Sequence, residues 1–276
     1  MKDWSLFLTL AIAILGGFSK IDLATDLQVY THLLLNNVNI QRVTNDRDIS
    51  PSTQEDEFSV ITKAIIRGDE EKVRALLTKG YNPNIRNKHY WTPLLYATRE
   101  RNVKLIKILL DSGADVNGQA KDGLSALMMA AFMCNEEAVR LLLTKGALVD
   151  IIDNNGETAL FKSVATCPSS ITQELLDNGA QVNTSNYAGL TPLMLAGKNT
   201  IETLINAGAD LNATDEKGYS ALMHAIIVRQ ITNVEALIQR GANVNTTAKD
   251  GKTALQLAVK SNFDPAINLL RQAGAL

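Results

Sequence analysis

Thr92-Pro93-Leu94-Leu95-Tyr96-Ala97 is a phrase that returns along the chain. It comes back as Ser125-Ala126-Leu127-Met128-Met129-Ala130, Thr158-Ala159-Leu160, Thr191-Pro192-Leu193-Met194-Leu195-Ala196, Ser220-Ala221-Leu222 and Thr253-Ala254-Leu255-Gln256-Leu257-Ala258. Successive copies lie 33, 33, 33, 29 and 33 residues apart. A second phrase keeps the same beat: Gly80-Tyr81-Asn82-Pro83-Asn84, Gly113-Ala114-Asp115-Val116-Asn117, Gly146, Gly179, Gly208-Ala209-Asp210-Leu211-Asn212, Gly241-Ala242-Asn243-Val244-Asn245 and Gly274-Ala275. A fixed period of this length marks stacked units, each burying its apolar face against its neighbours.

The two phrases, in phase over six and seven copies, resemble the ankyrin repeat, a turn followed by two antiparallel helices and an extended loop. The resemblance covers about residues 55 to 276. It implies an all-α solenoid of about seven stacked helix-turn-helix units with turn or hairpin loops. The units fall at about 55–87, 88–120, 121–153, 154–186, 187–215, 216–248 and 249–276. It also implies a protein-binding scaffold without catalysis.

Composition narrows the function. Lys and Arg number 27 against 29 Asp and Glu, a net charge of -2. A nucleic-acid binder more often shows a basic excess or stripe, and neither is present. Aromatic residues are 5%, so there is little surface on which bases could stack. The sequence carries no phosphate-binding loop, no dinucleotide fingerprint and no zinc-protease motif. Its three histidines, His32, His89 and His224, are scattered. The Asx-Gly pairs at the turn tips read as turn formers rather than calcium ligands. No catalytic residue, metal ligand or cofactor is expected.

Cys134 and Cys167 are also 33 apart and so occupy equivalent corners of neighbouring units. Equivalent points on stacked helices lie about 8–10 Å apart, whereas a disulfide needs Cα atoms within about 7 Å. Two separate thiols are therefore expected.

The sequence starts Met1-Lys2-Asp3-Trp4-Ser5, then the apolar run Leu6-Phe7-Leu8-Thr9-Leu10-Ala11-Ile12-Ala13-Ile14-Leu15, then Gly16-Gly17-Phe18-Ser19. A short head with one Lys, its charge cancelled by Asp3, an apolar run and small residues match a secretory signal peptide at 1–19. The stretch 6–18 would be about 20 Å long as a helix, short of a bilayer core of about 30 Å. An uncleaved membrane anchor and a buried helix are the other readings. Residues 20–54 read as an N-terminal helix, over Thr25 to Val38, and a polar linker.

Within the units, Thr92 is placed to cap a helix and Pro93 fits its first turn. The fifth unit is four residues short, with the gap around Gly197-Lys198-Asn199. The family's signature His is replaced by Leu95, Met128, Phe161, Met194, Met223 and Gln256; apolar packing should take over its role. Solenoids bind along their concave face. Mapping the turn tips and the groove side of each first helix gives Tyr90, Trp91, Tyr96, Leu124, Met129, Phe132, Met133, Tyr187, Leu190, Tyr219 and His224 as candidate partner contacts. The expected function is a non-catalytic, exported scaffold, periplasmic or secreted if bacterial. Its partner is another protein, with no nucleic acid and no small-molecule cofactor. A membrane-tethered adaptor, touching a membrane only if 6–18 stays uncleaved, and a regulatory subunit of an enzyme are the alternatives.

Overall fold

The structure, a computed structural model, describes residues 56–276. The apolar run, the N-terminal helix and the linker lie outside the described residues. Among the described residues thirteen α-helices follow, mostly in pairs: α1 (Glu57–Ile66) and α2 (Glu70–Thr78), α3 (Pro93–Arg99) and α4 (Val103–Asp111), α5 (Ala126–Phe132) and α6 (Glu136–Thr144), α7 (Ala159–Ser163) and α8 (Ser169–Asp177). A 3-10 turn (Pro192–Leu195) stands in for the next first helix and precedes α9 (Ile201–Asn206). Then come α10 (Ala221–Ile227) with α11 (Ile231–Gln239), and α12 (Ala254–Lys260) with α13 (Asp264–Gln272).

The repeated phrase builds each first helix. The hydroxyl of Thr92 accepts the Leu95 amide at 3.3 Å, and Ser125, Thr158, Ser220 and Thr253 do the same three residues on. Such a cap satisfies one of the amides that a helix start leaves unpaired. The apolar residues behind it are the core. Leu94, Leu95, Leu127, Met128, Leu160, Phe161, Leu193, Met194, Leu222 and Met223 are all buried between units. Five of the six residues at the signature-His position are thus packed in the interior, while Gln256, in the last unit, is exposed.

The second phrase ties units together. Its Asn84 donates to the Gly113 carbonyl and accepts the Asp115 amide, both in the next unit. Asn117 repeats this on Gly146 and Leu148, Asn183 on Gly208 and Asp210, and Asn245 on Gly274 and Leu276. Asp150, which has no side-chain donor, keeps only the accepting half, from Gln181. At the far end of the loops a backbone bond joins each turn tip to the next: Lys121 to His89, Asn154 to Asp122, Tyr187 to Asn155, Glu216 to Ala188 and Lys249 to Lys217, all at 2.9–3.1 Å.

The fifth unit is thinned where the sequence lacks four residues. The chain leaves the 3-10 turn at Ala196, and the Gly197 amide and the Thr200 hydroxyl both bond the Val164 carbonyl of the unit before. Asn233 of the unit after donates to the Ala196 carbonyl at 2.6 Å. Neighbouring side chains thus satisfy carbonyls left over by the missing turn. A Cβ on Gly197 would lie 2.2 Å from the Ala165 carbonyl oxygen, so no other residue fits there.

The expectation of two free thiols is overturned. Cys134 and Cys167 form a disulfide, with Cα atoms 5.2 Å apart. The spacing of helix axes does not govern this corner. Cys134 sits between α5 and α6 with φ 52°, outside either helix. The five-residue α7 ends early enough to bring Cys167 against it. The same corner is tied without covalent bonds elsewhere. Arg101, also at positive φ, donates to the Met133 carbonyl, and Arg229 donates to the Ser261 carbonyl at 2.6 Å.

A bridge closing 33 residues should contribute about 2–4 kcal/mol. Reduction should lower the denaturant midpoint accordingly, and the Cys134→Ser/Cys167→Ser chain should match the reduced protein and ignore reductant. An unchanged midpoint on reduction would show that the bridge adds nothing.

Candidate functional site

The surface with departures from the repeat is the row of turn tips and the groove beneath it. Each tip needs a left-handed residue at one place. Gly123, Gly156, Gly189, Gly218 and Gly251 fill it with φ between 74° and 84°. In four of them the next tip also crowds the position. A Cβ on Gly123 would lie 2.7 Å from Asp153 Cα, and on Gly189 2.8 Å from the Glu216 nitrogen. Tyr90 occupies this place in the second unit, with φ 61° and 51% of its surface exposed. A non-glycine residue held in this region costs about 1–3 kcal/mol, and such strain collects at functional sites.

Beneath Tyr90 an aromatic cluster leads into the groove. Trp91 is buried and meets Tyr96 edge-on at 5.3 Å, and Tyr96 meets Phe58 of the first unit at 5.7 Å. The Arg99 guanidinium lies over Tyr96 at 4.6 Å and Trp91 at 5.7 Å, paired with Glu100 at 2.6 Å. Tyr187, on the fifth tip, is 66% exposed. Its ring lies against Gly156 of the tip before, where a Cβ would sit 3.0 Å from it.

Of the eleven candidate contacts, Tyr90 and Tyr187 are exposed and Tyr96, Phe132 and Met133 partly so. The other six are buried and cannot offer a contact surface. Trp91, Leu124, Leu190 and Tyr219 share the place after the left-handed residue, where the chain turns back and tucks the side chain under its tip. Met129 and His224 share the fifth place of the repeated phrase, packed between first helices rather than open to the groove.

Sequence reasoning missed the polar chemistry at that fifth place. Lys162 stands there with 10% of its side chain exposed, 2.7 Å from Asp153 and also paired with Glu157. Glu157 is further held by Asn186 at 3.2 Å. In the sixth unit His224 Nε2 lies 3.1 Å from Asp215 at the same nine-residue spacing. The signal was legible: units with Asn or Ala in place of the Asp carry Tyr96, Met129, Leu195 or Leu257 in place of the cation. Burial works against the Lys162 ammonium, but Glu157 and Asp153 outweigh it and raise its pKa. Burial likewise pushes the Asp215 carboxyl up, yet hydrogen bonds from His224 and the Tyr219 amide outweigh it and hold the pKa below the ordinary Asp value. These pairs are saturated with partners and sit inside the stack. Among the described residues no group of three or more His, Cys, Asp or Glu is placed to hold a metal ion.

The model for ankyrin repeats (three copies) matches the chain in overlapping windows, at residues 25–120, 60–153, 112–186, 148–215 and 193–275. The chain belongs to the ankyrin repeat family. Its matches begin at residue 25, upstream of the first described helix. The ankyrin repeat domain of Bcl-3, described as a unique member of the IkappaB family, is similar at 26% identity and a TM-score of 0.68, covering 79% of this chain and all of that one. The human ASB11 ankyrin repeat domain shares the fold at 23% identity and a TM-score of 0.69, covering 78% of this chain and 98% of that one. No curated protein sequence matches the chain.

Two outcomes follow for the buried pairs. Lys162→Met should destabilise this ankyrin stack by about 3–5 kcal/mol, because it leaves two buried carboxylates without their counter-charge; urea unfolding measures it. The lowered Asp215 pKa contributes stability that is present above the ordinary Asp value and lost as pH falls through the folded value. Asp215→Asn should therefore flatten the acid limb of the stability–pH curve below about pH 4, and an unaltered limb would place acid sensitivity elsewhere.

Proposed function

We propose that the protein is an exported, non-catalytic scaffold that holds a partner protein along its turn tips and the open part of its groove. Ankyrin repeats generally mediate protein–protein interaction, and ankyrin domains are typically non-enzymatic scaffolds. The observation that carries the reading is the pair of exposed aromatic tips, Tyr90 and Tyr187, on a frame whose other aromatic tip residues are tucked inside. Exposed Tyr side chains on a rigid support are favoured interface anchors. Tyr96, Phe132 and Met133 continue the surface into the groove.

Export is supported by two independent features. The run Leu6 to Leu15 has the length and flanks of a signal peptide. The Cys134–Cys167 bridge suits an oxidising compartment such as the periplasm or the cell exterior, since thiols in the cytosol are kept reduced.

Mass spectrometry of the protein from its native cells should find an N-terminus near residue 20 and a mass lower by two hydrogens for the bridge. A chain beginning at Met1 would instead favour the membrane-tethered reading. Replacing Tyr90, Tyr187 and Phe132 by Ala should abolish retention of a partner protein that the unaltered chain captures, with thermal unfolding little changed. Equal capture by the altered chain would refute the tip-and-groove surface.

A further inference from the structure

The tripeptide Asn-x-Ser/Thr, with no Pro in the middle, occurs three times in the 276 residues: Asn183-Thr184-Ser185, Asn212-Ala213-Thr214 and Asn245-Thr246-Thr247. This is the acceptor pattern for N-linked glycans, which belong to surface loops of secreted proteins. All three sit at one place in the repeat, the Asn of the second phrase, in the fourth, fifth and sixth units. The fold uses that Asn but does not call for the hydroxyl residue two places on. The equivalent residues of the first three units are Arg86, Gln119 and Ile152. In each tripeptide both the Asn and the final Ser or Thr are exposed.

The side-chain nitrogen, the atom to which a glycan is attached, separates the three. Asn183 Nδ2 donates to the Gly208 carbonyl at 3.1 Å, and Asn245 Nδ2 to the Gly274 carbonyl at 3.3 Å. Both nitrogens are committed to the next unit. Asn212 departs from this pattern. Its Oδ1 accepts the Asn243 amide at 2.8 Å and so keeps the tie to the sixth unit, but its Nδ2 has no acceptor among the described residues. Asp150 keeps only the accepting half because it has no donor. Asn212 has the donor and leaves it unused on an exposed residue. Repeat stacks fold by local nucleation and propagation. Once the loops have closed, Asn183 and Asn245 offer a nitrogen already bonded, and Asn212 offers an open one. Attachment replaces one of the two hydrogens on the nitrogen. On Asn183 or Asn245 the sugar contends with a glycine carbonyl for that atom, whereas on Asn212 it costs the stack no hydrogen bond.

We propose that Asn212 carries an N-linked glycan, added as the chain is exported. This rests on the export reading above and goes beyond it by naming a modified residue. In the transfer, Asn212 Nδ2 bonds to C1 of a sugar carried on a lipid pyrophosphate. The C1–O bond to that carrier breaks, and the lipid pyrophosphate leaves with the bonding electrons. One amide hydrogen passes as a proton to a base of the transferring enzyme. The product is a bulky, solubilising group on the thinned fifth unit.

The test uses the chain from its native cells, before and after treatment with a peptide N-glycosidase. The untreated chain should exceed the mass of its sequence by one glycan. The enzyme should remove that excess and leave Asp at position 212, which peptide mapping reads. The two hydrogens of the bridge are then read on the treated chain. Among variants expressed in the same cells, Thr214→Ala keeps Asn212 and its bond to Asn243 and should lose the whole excess, while Thr214→Ser should retain it. Asn183→Gln and Asn245→Gln should leave it unchanged. A bare Asn212, or equal occupancy of Asn183 or Asn245, would overturn the assignment. The start of the chain separates the two readings. An unmodified chain beginning near residue 20 removes the glycan and leaves export standing, and an unmodified chain beginning at Met1 removes both. A glycan on Asn212 of a chain beginning at Met1 supports the assignment on the membrane-tethered reading.

Discussion

Each turn tip spends one backbone amide on the tip before it, and that bond sets the terms for the whole loop row. A single unit cannot close its own polar groups or bury its own apolar face, so order is borrowed from the neighbour. The consequence shows at the tip glycines. Gly251 keeps its left-handed φ of 79° although no following tip crowds it. The turn itself therefore demands the positive φ, and the following tip separately demands the missing Cβ. Tyr90 meets the first demand at a cost in strain and has a third-unit tip beside it. That combination makes it the least comfortable exposed residue of the row.

The corners between helices show the same requirement answered three ways. At the second and sixth units an arginine at positive φ reaches a carbonyl in the next corner. At the third unit the residue is Cys134 and the tie is covalent. Arg229 adds a stacking contact, its guanidinium 4.6 Å from the Phe263 ring. The bridge is thus one version of a recurring cross-unit tie, lying one unit upstream of the thinned fifth unit. There the Val164 and Ala196 carbonyls depend on Gly197, Thr200 and Asn233 for partners.

Much of this was legible because the chain is aligned with itself. Thr92 was legible as a helix cap, and the period located the short fifth unit, before any coordinate. The misplaced contacts reduce to two registers. One error about the place after the left-handed residue accounts for Trp91, Leu124, Leu190 and Tyr219 together. One error about the fifth place of the phrase accounts for Met129 and His224. Periodicity says which residues are equivalent, but the direction of a side chain at a tight turn depends on φ and on the next unit, which pattern alone does not carry. The disulfide was missed for a related reason: helix-axis spacing was applied to a corner where the backbone leaves the helix.

The departures from the repeat then separate by how the structure receives them. Asp153 with Lys162, and Asp215 with His224, depart together at fixed spacing inside the stack, so each change is met by its partner. Gly197 departs where a shortened unit leaves no room for a side chain. Cys134 departs with Cys167. These substitutions are explained by what they touch within the chain. Tyr90 departs toward solvent, in a backbone conformation that glycine would occupy at less cost, and its ring is half open. A residue that strains the fold and faces outward is the one on which the proposed partner surface is centred. That asymmetry, rather than aromatic composition, distinguishes Tyr90 from Trp91 beside it, which is equally aromatic and wholly accounted for by the packing beneath the tip.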